Sequence, residues 1–175
     1  SANVRVILAN VTDIHLQRRE LVADGKNYSY DYLVLACGAK HSYFAHPEWE
    51  EYAPGLKTLE QATEIRRRIL VAFERAEKIA DVEEQKKNLT FVIVGGGPTG
   101  VEMAGAIAEI ARVTLKKDFR NIQPSRTRII LVEAGERVLA SFAPELSQSA
   151  LTDLETMGVQ VWTKTRVTQV SAEGV

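Results

Sequence analysis

Residues 91–105 read FVIVGGGPTGVEMAG, and this stretch decides the fold. Four apolar residues run directly into three consecutive glycines, and a helix-forming sequence follows with Pro98 near its start. A short apolar run that ends at a turn is typical of a buried β-strand. Proline fits the first turn of a helix, because its missing N–H is not needed there. The stretch therefore predicts a strand, a tight glycine turn and a helix.

The spacing of the glycines predicts a dinucleotide site. Gly95, Gly97 and Gly100 form the pattern G-x-G-x-x-G. In this pattern the first glycine allows the turn, the second lets a pyrophosphate approach the backbone, and the third lets the helix pack against the strand. The free N–H groups of the first helical turn would face the phosphates. The alternative is that the glycines only make a tight turn. The pattern itself places Gly95, Gly97, Pro98 and Gly100 at the site.

The sequence after residue 89 alternates regularly between strand and helix patterns. We expect strands at 90–94, 128–132 and 159–162, with helices at 98–117 and 144–157 between them. Strands that alternate with helices in this order form a parallel sheet with right-handed crossovers. The predicted fold class is therefore α/β, with a Rossmann-like parallel sheet.

Glu133 directly follows the second predicted strand, RIILV. A carboxylate at this point accepts both hydroxyls of an adenosine ribose and repels a 2′-phosphate, which favours NAD over NADP. Arg137 lies close in sequence and keeps NADP open as an alternative.

Two interpretations of Glu102, in the predicted helix, stay open at this point. Its alignment with Glu109, Arg112 and Lys116 places it on a solvent-facing polar stripe. Alternatively, it points toward the reacting end of the bound nucleotide, because a second anion beside a pyrophosphate requires a reason.

The first part of the chain predicts a β-meander and one further strand. Apolar positions in 4–14 indicate an extended segment, and Asp24-Gly25 suits a tight hairpin turn. The continuous apolar run of residues 30–39, YDYLVLACGA, predicts a strand covered on both faces. An ordered loop (40–57), a helix that begins after Thr58 and a polar linker (81–88) are expected to follow. The valine spacing of 159–170 weakly repeats that of 4–14, by chance or as the mark of two similar domains.

Composition excludes several other functions. The 175 residues have a net charge of −1, which gives no long-range attraction for nucleic acid or anionic lipid. The single cysteine, Cys37, excludes a disulfide within the chain, and no apolar run is long enough to span a membrane. His41, His46 and Glu48 lie in one predicted loop, and no further metal ligand stands at a suitable spacing from them. No metal site is therefore predicted. The arginines at 66–68 suit a solvated helix face better than a phosphate site.

Four segments together resemble type II NADH dehydrogenases, single-subunit NADH:quinone oxidoreductases with two dinucleotide-binding domains. The glycine loop is common to the whole superfamily, whereas the sequence of residues 41–77 is particular to this family. The segments are YDYLVLACGA (30–39), HSYFAHPEWEEYAPGLKTLEQATEIRRRILVAFERAE (41–77), FVIVGGGPTGVEMAGAIAE (91–109) and IILVEAGERVL (129–139).

The resemblance implies a domain arrangement and a reaction. Residues 1–45 would be part of a split FAD-binding domain, 46–88 a loop, helix and linker, and 89–175 an NADH-binding domain truncated at its meander. Hydride would pass from NADH to FAD, and two electrons would then reduce a quinone. The chain would be a soluble fragment that is inactive alone. The full-length protein would lie at the cytoplasmic face of a membrane and would contact the membrane through a C-terminal region that is missing here. A homodimer is possible in this family.

The resemblance also implies individual roles. Gly95, Gly97, Pro98, Thr99 and Gly100 would hold the pyrophosphate of NADH, with Gly96 in the same loop. Glu133 would bind the adenosine ribose, with Ala134 beside it. Glu102 would lie near the nicotinamide and the flavin. Ala36, Cys37 and Gly38 would contact FAD, although cysteine stands where the family usually has threonine, which removes a hydroxyl. Cys37 itself is expected to be a small buried residue without a redox role. The alternatives are another reductase of the superfamily, of the sulfide:quinone or ferredoxin type, and a nucleotide-binding module without catalytic activity.

Overall fold

The computed structural model describes residues 3–38 and 41–175, so Ser1, Ala2, Ala39 and Lys40 lie outside the described residues. Ala39 is the last residue of the predicted strand, and Lys40 is the first of the predicted loop. The chain divides into two compact units, Ser1–Ala39 and Lys40–Val175. Each unit is described separately below.

The first unit is an antiparallel meander of three strands. These are β1 (Val11–His15), β2 (Glu20–Ala23) and β3 (Lys26–Ser29), in the order β1-β2-β3. Ala23 pairs with Lys26, so only Asp24 and Gly25 form the turn, and both have positive φ angles, 46° and 73°. Two positive φ angles in a two-residue turn match the right-handed twist of the hairpin. The predicted hairpin is confirmed.

The start of the predicted extended segment (4–14) and most of the predicted strand (30–39) join no sheet in the described part of the chain. Residues 4–8 and 31–38 pair with no strand in the described part of the chain. Their apolar side chains are exposed; Val6 is 91% and Val34 86% accessible. A strand needs hydrogen-bonded neighbours and a covered face, and an apolar run alone provides neither. The prediction of a covered strand at 30–39 is therefore wrong for residues 30–38, the part of it that the structure describes.

The second unit contains a parallel sheet of three strands and four helices. The strands are β4 (Thr90–Val94), β5 (Arg128–Val132) and β6 (Val159–Trp162), in the order β4-β5-β6. The helices are α1 (Leu59–Lys78), α2 (Val82–Asn88), α3 (Pro98–Glu109) and α4 (Pro144–Thr156). Thr90 pairs with Arg128, and Ile129 with Val159. The predicted α/β class and parallel sheet are confirmed.

Apolar residues from one face of the sheet and from three helices form the core of this unit. Phe73 of α1 has no accessible surface, and its ring lies 5.8 Å from that of Phe91 and 5.9 Å from that of Phe119. The buried core also includes Ile69, Ala104, Ile107, Ile129, Leu131, Leu154 and Val159.

Helix α1 begins with the capping box that the sequence predicts. Gln61 donates its backbone N–H to Thr58 Oγ1 at 3.2 Å, and Thr58 donates its own to Gln61 Oε1 at 3.3 Å. The loop before it contains a 3₁₀ turn, Pro47–Glu51. The segment predicted as a linker forms α2, because the Asp81 side chain caps it through the Glu84 N–H at 2.9 Å.

Helix α3 is shorter than predicted and ends in a different helical form. The α-helical part ends at Glu109, and a π-helical turn follows, Ile110–Thr114, closed by the Leu115 N–H on the Ile110 carbonyl at 2.8 Å. A π turn shifts the side chains that follow it around the axis. Arg112 is half-buried in this turn, so its predicted place on a solvated stripe is wrong.

The Arg112 side chain connects three elements. One of its terminal nitrogens donates to the Gly158 carbonyl at 3.0 Å and to the Thr127 carbonyl at 3.3 Å. The other terminal nitrogen has no hydrogen-bond partner among the described residues, and burial lowers the pKa of the guanidinium. The side chain thereby joins the end of α3 to the start of β5 and to the turn after α4.

Glu77 fastens the end of α1 to the loop after α3. Its carboxylate accepts the backbone N–H groups of Arg120, Asn121 and Ile122 at 2.9–3.2 Å. Desolvation opposes the charged form, but these three hydrogen bonds outweigh it and lower the pKa of Glu77 below its ordinary value of 4.5.

Replacing this carboxylate should destabilise the protein in a pH-dependent manner. Because the folded pKa is depressed, the stabilisation is present above the ordinary pKa and is lost as the pH falls through the folded value. We expect Glu77→Gln to lower the urea midpoint at pH 7, with a smaller difference from wild type below about pH 4. The control is Glu74→Gln, on the same helix, whose exposed side chain makes no contact of this kind. A difference that does not change with pH would contradict this role.

Candidate nucleotide-binding site

The parallel strands bring the predicted site residues to one edge of the sheet. Gly95 donates its N–H to the Val132 carbonyl at 2.8 Å, just past the end of β4. Glu133 donates its N–H to the Trp162 carbonyl at 2.8 Å, just past the end of β5. The glycine loop and Glu133 therefore lie side by side at the carboxyl ends of the strands, where α/β sheets bind ligands.

The three glycines of the motif differ in how far their surroundings require a residue without a side chain. Gly95 has a φ of +104°, which disfavours any other residue. A Cβ atom on Gly100 would lie 1.9 Å from the Gly95 carbonyl oxygen, so the third glycine allows the close contact between α3 and the loop. A Cβ atom on Gly97 would meet nothing within 4 Å. The described residues therefore leave open space at this position, and the predicted close approach of a pyrophosphate to the backbone stays a prediction.

The N-terminus of α3 is free to bind an anion. Gly97 is the N-cap residue, no side chain among the described residues caps this end, and the first turn contains no acidic residue. Pro98 and Thr99 are exposed. The first N–H groups of a helix and its dipole favour a negative group at such an end.

Glu133 connects the glycine loop to the turn after β5. Its Oε2 accepts the N–H of Gly96 at 2.6 Å, and its Oε1 accepts the N–H of Gly135 at 2.6 Å. The side chain is half-buried, and Ala134 next to it is exposed. The carboxylate predicted to bind a ribose is thus also an anchor of the loop, a role that the sequence did not indicate.

The loop after Glu133 contains two residues that sequence reasoning did not assign to the site. Leu139 donates its N–H to the Gly96 carbonyl at 2.7 Å. The Arg137 guanidinium donates to the carbonyls of Ala140 at 2.8 Å and Phe142 at 3.0 Å, and more weakly to Leu139 at 3.4 Å. Arg137, considered above for a 2′-phosphate, is therefore occupied by backbone oxygens.

Glu102 lies in the second turn of α3, on the exposed side. Its side chain makes no hydrogen bond or ion pair with the described residues. Glu109 and Lys116, which share its predicted stripe, are exposed as expected, whereas Arg112 is not. The position suits either predicted role of Glu102, so both remain predictions.

Ala36, Cys37 and Gly38 belong to the first unit, not to the unit that contains the glycine loop. All three are exposed, and Gly38 has a φ of +72°. Cys37 is a free, exposed thiol, so the expectation that it is buried is wrong. The predicted strand that would cover it does not form.

Four of the histidines and arginines considered above, His41, His46, Arg67 and Arg68, have partners of their own. His46 Nδ1 lies 2.9 Å from Glu48 Oε1, and His41 Nε2 lies 3.3 Å from Gln61 Oε1. Arg67 and Arg68 both bond Glu64 at 2.7 Å, which lowers the pKa of that carboxyl to about 2. Within residues 3–38 and 41–175, no group of three or more His, Cys, Asp or Glu side chains could hold a metal ion. Among the helices of these ranges, none has the length and apolarity needed to cross a membrane.

Comparison with known proteins connects this geometry to a family. The protein family described as "pyridine nucleotide-disulphide oxidoreductase" matches the sequence over residues 1–175. The chain belongs to the pyridine nucleotide-disulphide oxidoreductase family. A type II NADH:quinone oxidoreductase of Mycobacterium tuberculosis is 45% identical over 99% of this chain. The chain spans 38% of the length of that relative.

Solved structures of this family share the architecture. NDH2 from Plasmodium falciparum, in complex with NADH, superposes with a TM-score of 0.76 at 27% identity, over 93% of this chain and 34% of that one. Putidaredoxin reductase, in its covalent complex with putidaredoxin, gives a TM-score of 0.56 at 26% identity, over 95% of this chain and 34% of that one. The resemblance to type II NADH dehydrogenases is therefore confirmed.

The contrast between two glycines of the loop is testable by stability alone. Gly100→Ala places its Cβ against the Gly95 carbonyl and should lower the free energy of unfolding by about 1–3 kcal/mol, as overpacking does. Gly97→Ala has open space and an ordinary φ of −74°, so its change should stay within about 0.5 kcal/mol. Urea denaturation of both variants measures the difference. Equal effects would contradict the assigned close contact.

Proposed function

We propose that the glycine loop binds the pyrophosphate of NADH. The observation that supports this most is the open space beside Gly97 at the uncapped N-terminus of α3. There a phosphate can approach the backbone and accept hydrogen bonds from the first N–H groups of the helix. In this proposal Gly95, Gly96, Pro98, Thr99 and Gly100 form the remainder of the loop around the phosphates.

We propose that Glu133 selects NADH over NADPH. Each of its carboxylate oxygens accepts one backbone N–H, and each has a further lone pair available for a ribose hydroxyl. A 2′-phosphate would instead meet this carboxylate and be repelled. The guanidinium of Arg137 donates to three backbone carbonyls and is therefore not available to bind a 2′-phosphate, which supports the same preference. Ala134 would lie beside the ribose.

We propose that the whole protein is an FAD-dependent NADH:quinone oxidoreductase. The named relative from Mycobacterium tuberculosis supports the reaction, and the exposed backbone at Ala36, Cys37 and Gly38 is open to a flavin. A bound flavin would take a hydride from NADH and pass two electrons to the quinone. The residues of this chain hold and orient NADH for that transfer. A peripheral position at the cytoplasmic face of a membrane and a homodimer belong to the same proposal, on the resemblance alone.

Calorimetry with NADH tests nucleotide binding by this chain. We expect wild type to bind NADH, and Gly97→Ala to bind it at least about tenfold more weakly, because its methyl group occupies the approach to the backbone. The control is Gly105→Ala in the same helix, where a Cβ would meet Met157 at an ordinary 3.8 Å. Folded wild type without NADH binding would overturn the proposed function. Titration with FAD in parallel shows whether the chain holds the flavin without the rest of the protein.

The role of Glu102 is testable in the whole flavoprotein. If it lies near the reacting end of NADH, Glu102→Gln should slow flavin reduction by about tenfold, with NADH affinity unchanged. Stopped-flow loss of flavin absorbance measures this rate. The control is Glu109→Gln, an exposed glutamate two turns further along α3. Unaltered reduction kinetics would assign Glu102 to the solvated stripe.

A further inference from the structure

We infer that Arg137 is a positioning residue that sets the affinity for NADH without touching it. Its guanidinium orders the loop 139–142, and that loop in turn fixes the peptide group of Gly96 in the glycine motif. The inference rests on the proposed NADH site and adds a residue to it that the motif does not contain.

The guanidinium of Arg137 donates hydrogen bonds to several backbone carbonyls of the loop that follows it. Its two terminal nitrogens donate to the carbonyls of Leu139, Ala140 and Phe142 at 2.8–3.4 Å. No carboxylate pairs with this guanidinium in the described residues. Carbonyl oxygens held close together repel one another, and a planar cation with several donors can hold them in one arrangement. The arginine therefore acts on the path of the backbone.

These hydrogen bonds maintain an unusual backbone conformation at Leu139. Leu139 has a φ of +50°, in the left-handed region that residues with a Cβ seldom adopt. The Phe142 N–H closes the turn on the Leu139 carbonyl at 2.8 Å, and Arg137 donates to the same oxygen. A strained residue persists only where its surroundings hold it in place. Without Arg137, Leu139 is expected to relax toward a negative φ.

Leu139 is in turn connected to the proposed nucleotide site through Gly96. Leu139 donates its N–H to the Gly96 carbonyl at 2.7 Å, while Glu133 accepts the Gly96 N–H at 2.6 Å. Both polar groups of Gly96 are thereby fixed, and the residue is buried against Val138. Gly97 follows directly, so the direction of the first N–H groups of α3 depends on Gly96. A loop that must be ordered during binding costs affinity, whereas a loop already ordered does not.

An alternative explanation for any effect of Arg137 is direct attraction of the nucleotide phosphates. The two explanations differ in what a lysine does at this position. Lysine keeps the charge but lacks the planar fork that reaches several carbonyls. They also differ for NADPH, because a direct contact with the 2′-phosphate would change the ratio of the two affinities.

The experiment measures NADH and NADPH affinity by calorimetry for wild type, Arg137→Ala and Arg137→Lys. We expect both variants to bind NADH about tenfold more weakly, since residues of one hydrogen-bond network couple at this scale, with the NADH/NADPH ratio unchanged. The control is Arg66→Ala, which removes an exposed arginine without such partners on α1. Wild-type affinity in Arg137→Lys, or a changed ratio, would overturn the inference.

A second variant separates this role from a loss of folding. In Arg137→Ala, Leu139→Gly should restore most of the NADH affinity, because glycine adopts a positive φ without strain. Amide hydrogen exchange gives a readout that needs no nucleotide: exchange at Leu139 and Gly96 should accelerate in Arg137→Ala, while the core of β5 stays protected. No rescue by glycine, or unchanged exchange at both amides, would contradict the role. If wild type does not bind NADH, the proposed function fails, and the exchange measurement alone decides whether Arg137 holds the loop.

Discussion

The close approach of Gly100 to the Gly95 carbonyl is the constraint on which the second unit depends. A Cβ at this point would lie 1.9 Å from that oxygen, so α3 can start where it does only because the side chain is missing. This start lets α3 pack Ala104 and Ile107 into the core against the sheet. Helix α3 begins at Pro98, shortly after the end of β4, so its first turn lies at the carboxyl end of that strand. The packing of α3 and the geometry of the proposed nucleotide site thus depend on one steric condition.

Around this contact, the loop is held by hydrogen bonds to backbone atoms. Glu133 binds the N–H groups of Gly96 and Gly135, and Leu139 binds the Gly96 carbonyl. Glu77 does the same for the loop after α3, with three N–H donors. A charged side chain that satisfies several backbone groups fixes a loop more strongly than an exposed ion pair between two long side chains does. The irregular segments are therefore ordered by a few side chains.

The parts that the sequence predicts correctly are those with a repeating pattern or a fixed spacing. The three parallel strands, the capping box at Thr58 and the turn at Asp24-Gly25 belong to this class. The roles of Arg137 and Glu77 leave no pattern, because their partners are main-chain atoms that every residue has. The π turn that brings Arg112 inward likewise cannot be predicted from the spacing of residues along an α-helix. The prediction of a strand at 30–39 failed because strand formation depends on partners as well as on local composition.

The unpaired segments of the first unit have a consequence for handling the protein. Val6 and Leu8, and likewise Tyr32 and Val34, are more than 80% exposed, and the backbone beside them joins no sheet in the part of the chain that the structure describes. Segments of this kind are templates for edge-to-edge pairing between molecules, which leads to aggregates. The colloidal behaviour of the chain in concentrated solution should therefore depend on residues 4–8 and 31–35 more than on its nearly neutral charge. Lysine substitutions at these exposed positions are the natural route to a more soluble sample.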